Sequence, residues 1–128
     1  MGHVYRGPAR TILCIDDDTA ILRYERALLE RSGYNVVTAN SAQQGLTLAM
    51  TCQIDAVVLD YNMPAMNGHN VAAAIKQCRP EILIVMFSAS EIPQETQNLV
   101  NAVVFKTDAV EQLLPTVARL CVGIRCPE

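Results

Sequence analysis

Five short apolar runs, each followed by a stretch of one-sided helical periodicity, account for most of this chain. The runs are residues 11–15 (TILCI), 34–39 (YNVVTA), 54–60 (IDAVVLD), 82–87 (ILIVMF) and 102–105 (AVVF). Short continuous apolar runs rich in β-branched residues mark strands buried on both faces. Strands of that kind alternating with helices form a parallel sheet covered on both sides. The second run is more polar than the rest, which suits a sheet edge. An α/β fold with a parallel sheet is therefore the expectation.

The helical stretches carry their own boundary signals. Asp18 or Thr19 can cap the first, where Ile21, Leu22, Leu28 and Leu29 repeat at seven, and Gly33 stops it. Ser41 caps the second, which runs to about Cys52 with Leu46 and Ala49 on one stripe and Ala42 and Met50 beside it. The third spans 67–78, is rich in alanine, and ends before Pro80. Residues 90–101 contain Pro93 and few apolar positions, so only a short or irregular helix around 94–99 is expected. Asp108 caps the last helix, with Val110, Leu113, Leu114, Val117 and Leu120 on it and Pro115 placed to kink it.

A length of 128 residues is one domain's worth. Residues 11–122 are read as that domain, 1–10 as a flexible arm and 123–128 as a tail. Hydrophobic content of 51% with 18% charged residues describes a globular chain. The net charge of −3 gives no nucleic-acid face. No apolar run reaches membrane-spanning length and the N-terminus lacks an apolar signal core, so a cytoplasmic protein is expected. Five cysteines at irregular spacing, without a CxxC, read as reduced buried thiols.

Four of the five strands end in a chemically active residue: Asp16 and Asp17, then Asp60, then Ser88, then Lys106. In a parallel sheet these ends share one edge, where open α/β sheets bind their ligands. Three carboxylates brought together repel one another unless a cation joins them. Hard oxygen ligands with room for water suit Mg²⁺. A metal beside a carboxylate, a lysine and a hydroxyl is equipment for phosphoryl transfer, and the carboxylate can be the nucleophile. Asp18 reads as a helix cap and His69 as an exposed residue without a role.

The motifs ILCIDDD, VVLDYNMPAMNG, IVMFSAS and VVFK stand in this order from Thr11 onward. With them the chain resembles the receiver domain of bacterial two-component response regulators, and it is similar to the chemotaxis response regulator in being little more than that domain. The resemblance implies a flavodoxin-like, doubly wound, five-stranded parallel sheet in the order 2-1-3-4-5. It implies that Asp60 accepts a phosphoryl group from a sensor histidine kinase or phosphotransfer protein. It implies Mg²⁺ held by Asp17 directly, by Asp16 through water, by Asp60 and by the backbone carbonyl of Asn62. Ser88 matches the hydroxyl that moves onto the phosphoryl group and Lys106 the lysine that pairs with it. Asn62 and Ser90 match positions that tune phosphoryl lifetime. A receiver of this kind is not an enzyme in the ordinary sense, but a phosphoacceptor that assists its own phosphorylation and dephosphorylation. It acts on a downstream protein, with no direct nucleic-acid or membrane partner, and homodimers through the fourth-helix face are common in the family.

Three features depart from the family pattern: Thr107 where Pro is usual, Val103 where Tyr or Phe is common, and a segment from Ser88 to Lys106 that is several residues short. Two other functions use similar parts. A phosphohydrolase of the haloacid dehalogenase type needs DxDx[TV] at the first strand, and Asp16 to Ala20 fails at the fifth position. A non-phosphorylated interaction scaffold would have no use for the acidic cluster.

Overall fold

The computed structural model describes residues 9–122. Five strands alternate with helices throughout: β1 (Thr11–Ile15), α1 (Thr19–Glu30), β2 (Asn35–Ala39), α2 (Ala42–Thr51), β3 (Ala56–Asp60), α3 (Gly68–Cys78), β4 (Leu83–Ser88), α4 (Gln94–Gln97), β5 (Ala102–Phe105) and α5 (Ala109–Val122). All neighbouring strands pair in parallel, in the order β2-β1-β3-β4-β5. This is the flavodoxin-like architecture expected from the resemblance. The predicted arm and tail lie outside the described residues except for positions 9 and 10.

Strand alternation divides the core into two layers. Leu13, Ile15, Val57, Leu59, Ile84 and Met86 face α2 and α3, where Ala49, Val71, Ala72 and Ile75 meet them. Ile12, Cys14, Val58, Val85, Phe87 and Val104 face α1 and α5, against Leu22, Leu29, Leu113 and Val117. All five residues of β3 are buried, as its central place requires.

The caps follow the sequence signals. Asp18 Oδ1 accepts from the N–H groups of Ala20 and Ile21, Ser41 Oγ from Gln44, and Asn67 Oδ1 from Asn70. Gly33 adopts φ 97°, a left-handed conformation that glycine takes without cost, and the chain turns there into β2.

Three expectations need correction. The buried stripe of α2 is Ala42, Gly45 and Ala49, with Leu46 only partly covered. The helix lies so close to β1 that a Cβ on Gly45 would collide with the Ile15 side chain, so any other residue there requires Ile15 to shift. Asp108, in a single 3-10 turn, Lys106–Asp108, stands directly before α5, the position of a cap, and α5 continues through Pro115. The thiols are not uniformly buried: Cys14 and Cys121 are, Cys52 is partly covered, and Cys78 at the end of α3 is exposed. The inward stripe of α1 contains a charged residue type, because Glu25 lies between Leu22 and Leu29 and is 1% exposed.

Candidate functional site

Strand parity assembles the site. Cys14 pairs with Val58 on the α1–α5 face of the sheet, and two residues further on Asp16 and Asp60 emerge on that same face. Lys106 follows Val104 of β5 with the same parity. Strand β4 lies between β3 and β5, so the lysine must cross Phe87 to reach the carboxylates. It does so with Nζ 5.6 Å from the ring centroid, a cation–π distance. Nζ donates to Asp16 Oδ2 at 3.0 Å and to Asp60 Oδ1 at 3.1 Å.

Asp16 and Asp60 are 1% and 3% exposed, whereas Asp17 is open to solvent. Asp16, Asp17 and Asp60 each offer a carboxylate oxygen within 4.8 Å of the others. Two buried carboxylates and one open one, all hard oxygen donors, fit a divalent cation approached from solvent. Asp16 Oδ1 also accepts from the Asp18 N–H at 2.9 Å, and Asp60 Oδ1 from the Asn62 N–H at 3.3 Å. Burial, and next the charge of Asp16, push the Asp60 carboxyl up to about 6, against the opposing pull of Lys106. It is still mostly ionised at neutral pH. For Lys106, burial disfavours the ammonium, but its hydrogen bonds to Asp16 and Asp60 prevail and raise its pKa.

Ser88 is fully buried at the end of β4 and is tied to its own loop. Its hydroxyl donates to the Ser90 carbonyl at 2.7 Å and accepts from the Ser90 N–H at 3.1 Å. The structure thus joins Asp16, Asp60 and Lys106 directly, whereas the Ser88 hydroxyl is bonded to Ser90. Asn62 Nδ2 and Ser90 Oγ are 3.5 Å apart, so the β3–α3 and β4–α4 loops meet over the site. Gly68 keeps the first of these loops tight. A Cβ there would stand 2.8 Å from both the Asp60 carbonyl oxygen and Tyr61 Cα.

Two residues escape the sequence reading. Glu25 lies on the same face of the sheet, and the charges of Asp16, Lys106 and Asp60 all bear on it. Burial, and next the charge of Asp16, push its carboxyl up to about 9, so it is neutral at pH 7. The Cys14 thiol hydrogen-bonds to it, while its Oε1 is buried without a partner. The signal was its spacing, three residues after Leu22 and four before Leu29. His69 is not an exposed residue without a role: it is half-buried, with Nδ1 2.8 Å from Oγ1 of the buried Thr96, which ties α3 to α4. No local signal marks a partner 27 residues away.

The family model of the response regulator receiver domain matches residues 12–114. Among curated proteins, the chain is 34% identical over 82 residues to the alkaline phosphatase synthesis transcriptional regulatory protein PhoP of Bacillus subtilis, covering 64% of this chain and 34% of that protein. The chain spans about a third or less of the length of the curated relatives it matches. Among solved structures, response regulator TrrA of Thermotoga maritima in complex with Mg²⁺-BeF superposes with TM-score 0.82 at 25% identity, covering 87% of this chain and 98% of that one. TrrA in complex with the histidine kinase ThkA gives TM-score 0.80 at 25% identity, covering 87% and 97% of the two chains.

Proposed function

The chain belongs to the family of response regulator receiver domains of two-component systems, and from that membership we propose that Asp60 is its phosphoacceptor. The observation that carries this is the contact of the buried Asp60 carboxylate with the Lys106 ammonium, inside a cluster of three acids at the strand ends. An ionised Asp60 oxygen attacks the donor phosphorus and an acyl phosphate bond forms. The bond from phosphorus to the donor atom, an imidazole nitrogen in a phosphohistidine, breaks, and the electron pair leaves with that atom. Lys106 offsets charge on the incoming phosphoryl oxygens, from a position already next to the nucleophile. Ser88 supplies a hydrogen bond once its hydroxyl leaves Ser90.

Asp16, Asp17, Asp60 and the Asn62 carbonyl are the groups assigned to hold Mg²⁺. When bound, the cation supplies further positive charge to the phosphoryl oxygens. Asn62 and Ser90, whose side chains meet over the site, are assigned to govern access of water to the phosphorylated residue. The supplier is a histidine kinase or phosphotransfer protein, a reading supported by the kinase complex of TrrA. Residues 11–122 form the receiver, its consumer is a downstream protein or a second copy of the chain, and the cytoplasm is where such a relay operates. The domain assists its own phosphorylation and dephosphorylation, since the groups around Asp60 serve both directions.

The test is intact mass after incubation with Mg²⁺ and acetyl phosphate. Gain of one phosphoryl group, lost in Asp60→Asn and in chelator, is expected. Equal gain in Asp60→Asn would overturn the assignment.

A further inference from the structure

A cavity of about 240 Å³ opens between α1 and the edge strand β2, on the same face of the sheet as Asp60 but with β1 between β2 and the strand that carries Asp60. Its floor is Leu22 and its walls are polar. From α1 come Arg23 and Arg26, three residues apart and so on one helix face. From β2 comes Thr38, which pairs with Cys14 and therefore faces α1. From the turn into α2 come Asn40 and Gln44. Gln44 Oε1 accepts from the Asn40 N–H at 3.0 Å, which leaves the NH₂ end of the amide as the group it can offer a ligand. Arg26 gives Nη1 to Glu30 at 2.9 Å, one of the five donors a guanidinium carries.

Among the described residues no carboxylate lines this cavity, although the chain as a whole is acidic. Two guanidiniums, the hydroxyls of Thr19 and Thr38 and two amides make a wall rich in donors, with forked cations suited to phosphate oxygens. The volume lies just below that of pockets for drug-sized ligands, which leaves room for a phosphate with a small organic group against Leu22. We propose that this cleft binds a small phosphate-bearing organic anion, with Arg23 and Arg26 on the phosphate and Thr38, Asn40 and Gln44 on its remaining oxygens. Such a ligand bridges α1 to the β2–α2 turn. The site is independent of phosphorylation at Asp60.

The test uses the ¹⁵N-labelled chain in chelator, so that the acidic cluster holds no metal. It is titrated with glycerol 3-phosphate, inorganic phosphate and chloride at matched ionic strength. Saturable amide shifts at Thr38, Asn40 and Gln44 are expected, tighter for the ester than for inorganic phosphate and retained in Asp60→Asn. Arg23→Gln/Arg26→Gln should abolish saturation while its melting temperature stays that of the parent; the single Arg23→Gln variant, at an exposed position, should weaken it. Shifts that track chloride, that match for ester and phosphate, or that persist in the double variant would each overturn the proposal.

Discussion

Glu25→Gln isolates the consequence of burying a carboxyl beside the acidic cluster. In the folded chain this carboxyl titrates at about 9, against 4.5 for the free group. The native state therefore keeps a proton that the unfolded chain releases. A raised carboxyl pKa contributes stability that is complete below the unfolded value and is lost as pH rises toward the folded one. The slope is about −1.4 kcal/mol per pH unit. Between pH 4.5 and pH 7.5 the loss reaches about 4 kcal/mol, a large part of a typical domain's stability. Glutamine has nearly the same shape and no proton to lose, so the variant should gain on the parent as pH rises. The difference between them should change by about 3 kcal/mol between pH 5 and pH 7.5.

The assay is urea unfolding of both proteins in chelator at pH 5, 6.5 and 8. An offset common to all three pH values carries no weight, because a glutamine amide exchanges one unpartnered oxygen for other unpartnered groups. The pH dependence of the difference is the measured quantity, since the other titrating groups largely cancel in it. A difference that stays flat from pH 5 to pH 8 would refute the reasoning. It would mean that Glu25 ionises inside the fold, with water or Lys106 compensating the charge.

Two further outcomes follow from the site. Ala65, in the β3–α3 loop, holds φ 69°, which costs a residue with a Cβ about 1 kcal/mol. Ala65→Gly should raise stability by about 0.5 kcal/mol after the extra freedom of the unfolded chain is deducted, and a loss in urea midpoint would contradict this. In chelator, Asp60→Asn should stabilise the protein by on the order of 1 kcal/mol above pH 6, because burial and the charge of Asp16 hold that carboxyl above its free value. An equal or lower melting temperature at pH 7.5 would show that the Lys106 hydrogen bond outweighs both.

The convergence of Asp16, Asp60 and Lys106 was legible because it needs only two regularities, parallel strands and alternation along each strand. Every strand end then points to one edge, and each side chain's face follows from counting. Glu25 stood at the spacing of the buried stripe but was passed over, because a stripe read for leucines skips a charged residue, and the fold shows that residue to be enclosed. Ser88 was placed correctly at the strand end, but which way its hydroxyl bonds depends on the loop geometry at Ser90 rather than on spacing. The brevity of α4 was visible from Pro93 and the scarcity of apolar residues. Its attachment through His69 and Thr96 was not, since a contact between distant segments leaves no trace in local pattern.

The arrangement also bears on which chemistry these residues suit. A haloacid dehalogenase-type reading needs a second acid two residues after the nucleophile, and Asp18 stands at that offset from Asp16. Its carboxylate is occupied, accepting from the Ala20 and Ile21 N–H groups that open α1. Recruiting it as a proton donor would uncap the helix, at a cost of about 1 kcal/mol. Asp60 carries no such duty. Among the described residues its one side-chain partner is Lys106, and the Asn62 N–H is a long contact. Charge compensation by Lys106 is in place at Asp60, whereas the hydroxyl of Ser88 is held by Ser90. Drawing that hydroxyl toward Asp60 breaks its bond to the Ser90 carbonyl and pulls on the segment leading to α4. That helix has only four residues, and the His69–Thr96 hydrogen bond holds it to α3. The groups that would stabilise transfer are thus preorganised, and the group that would report it is the one tethered to a short, separately anchored helix.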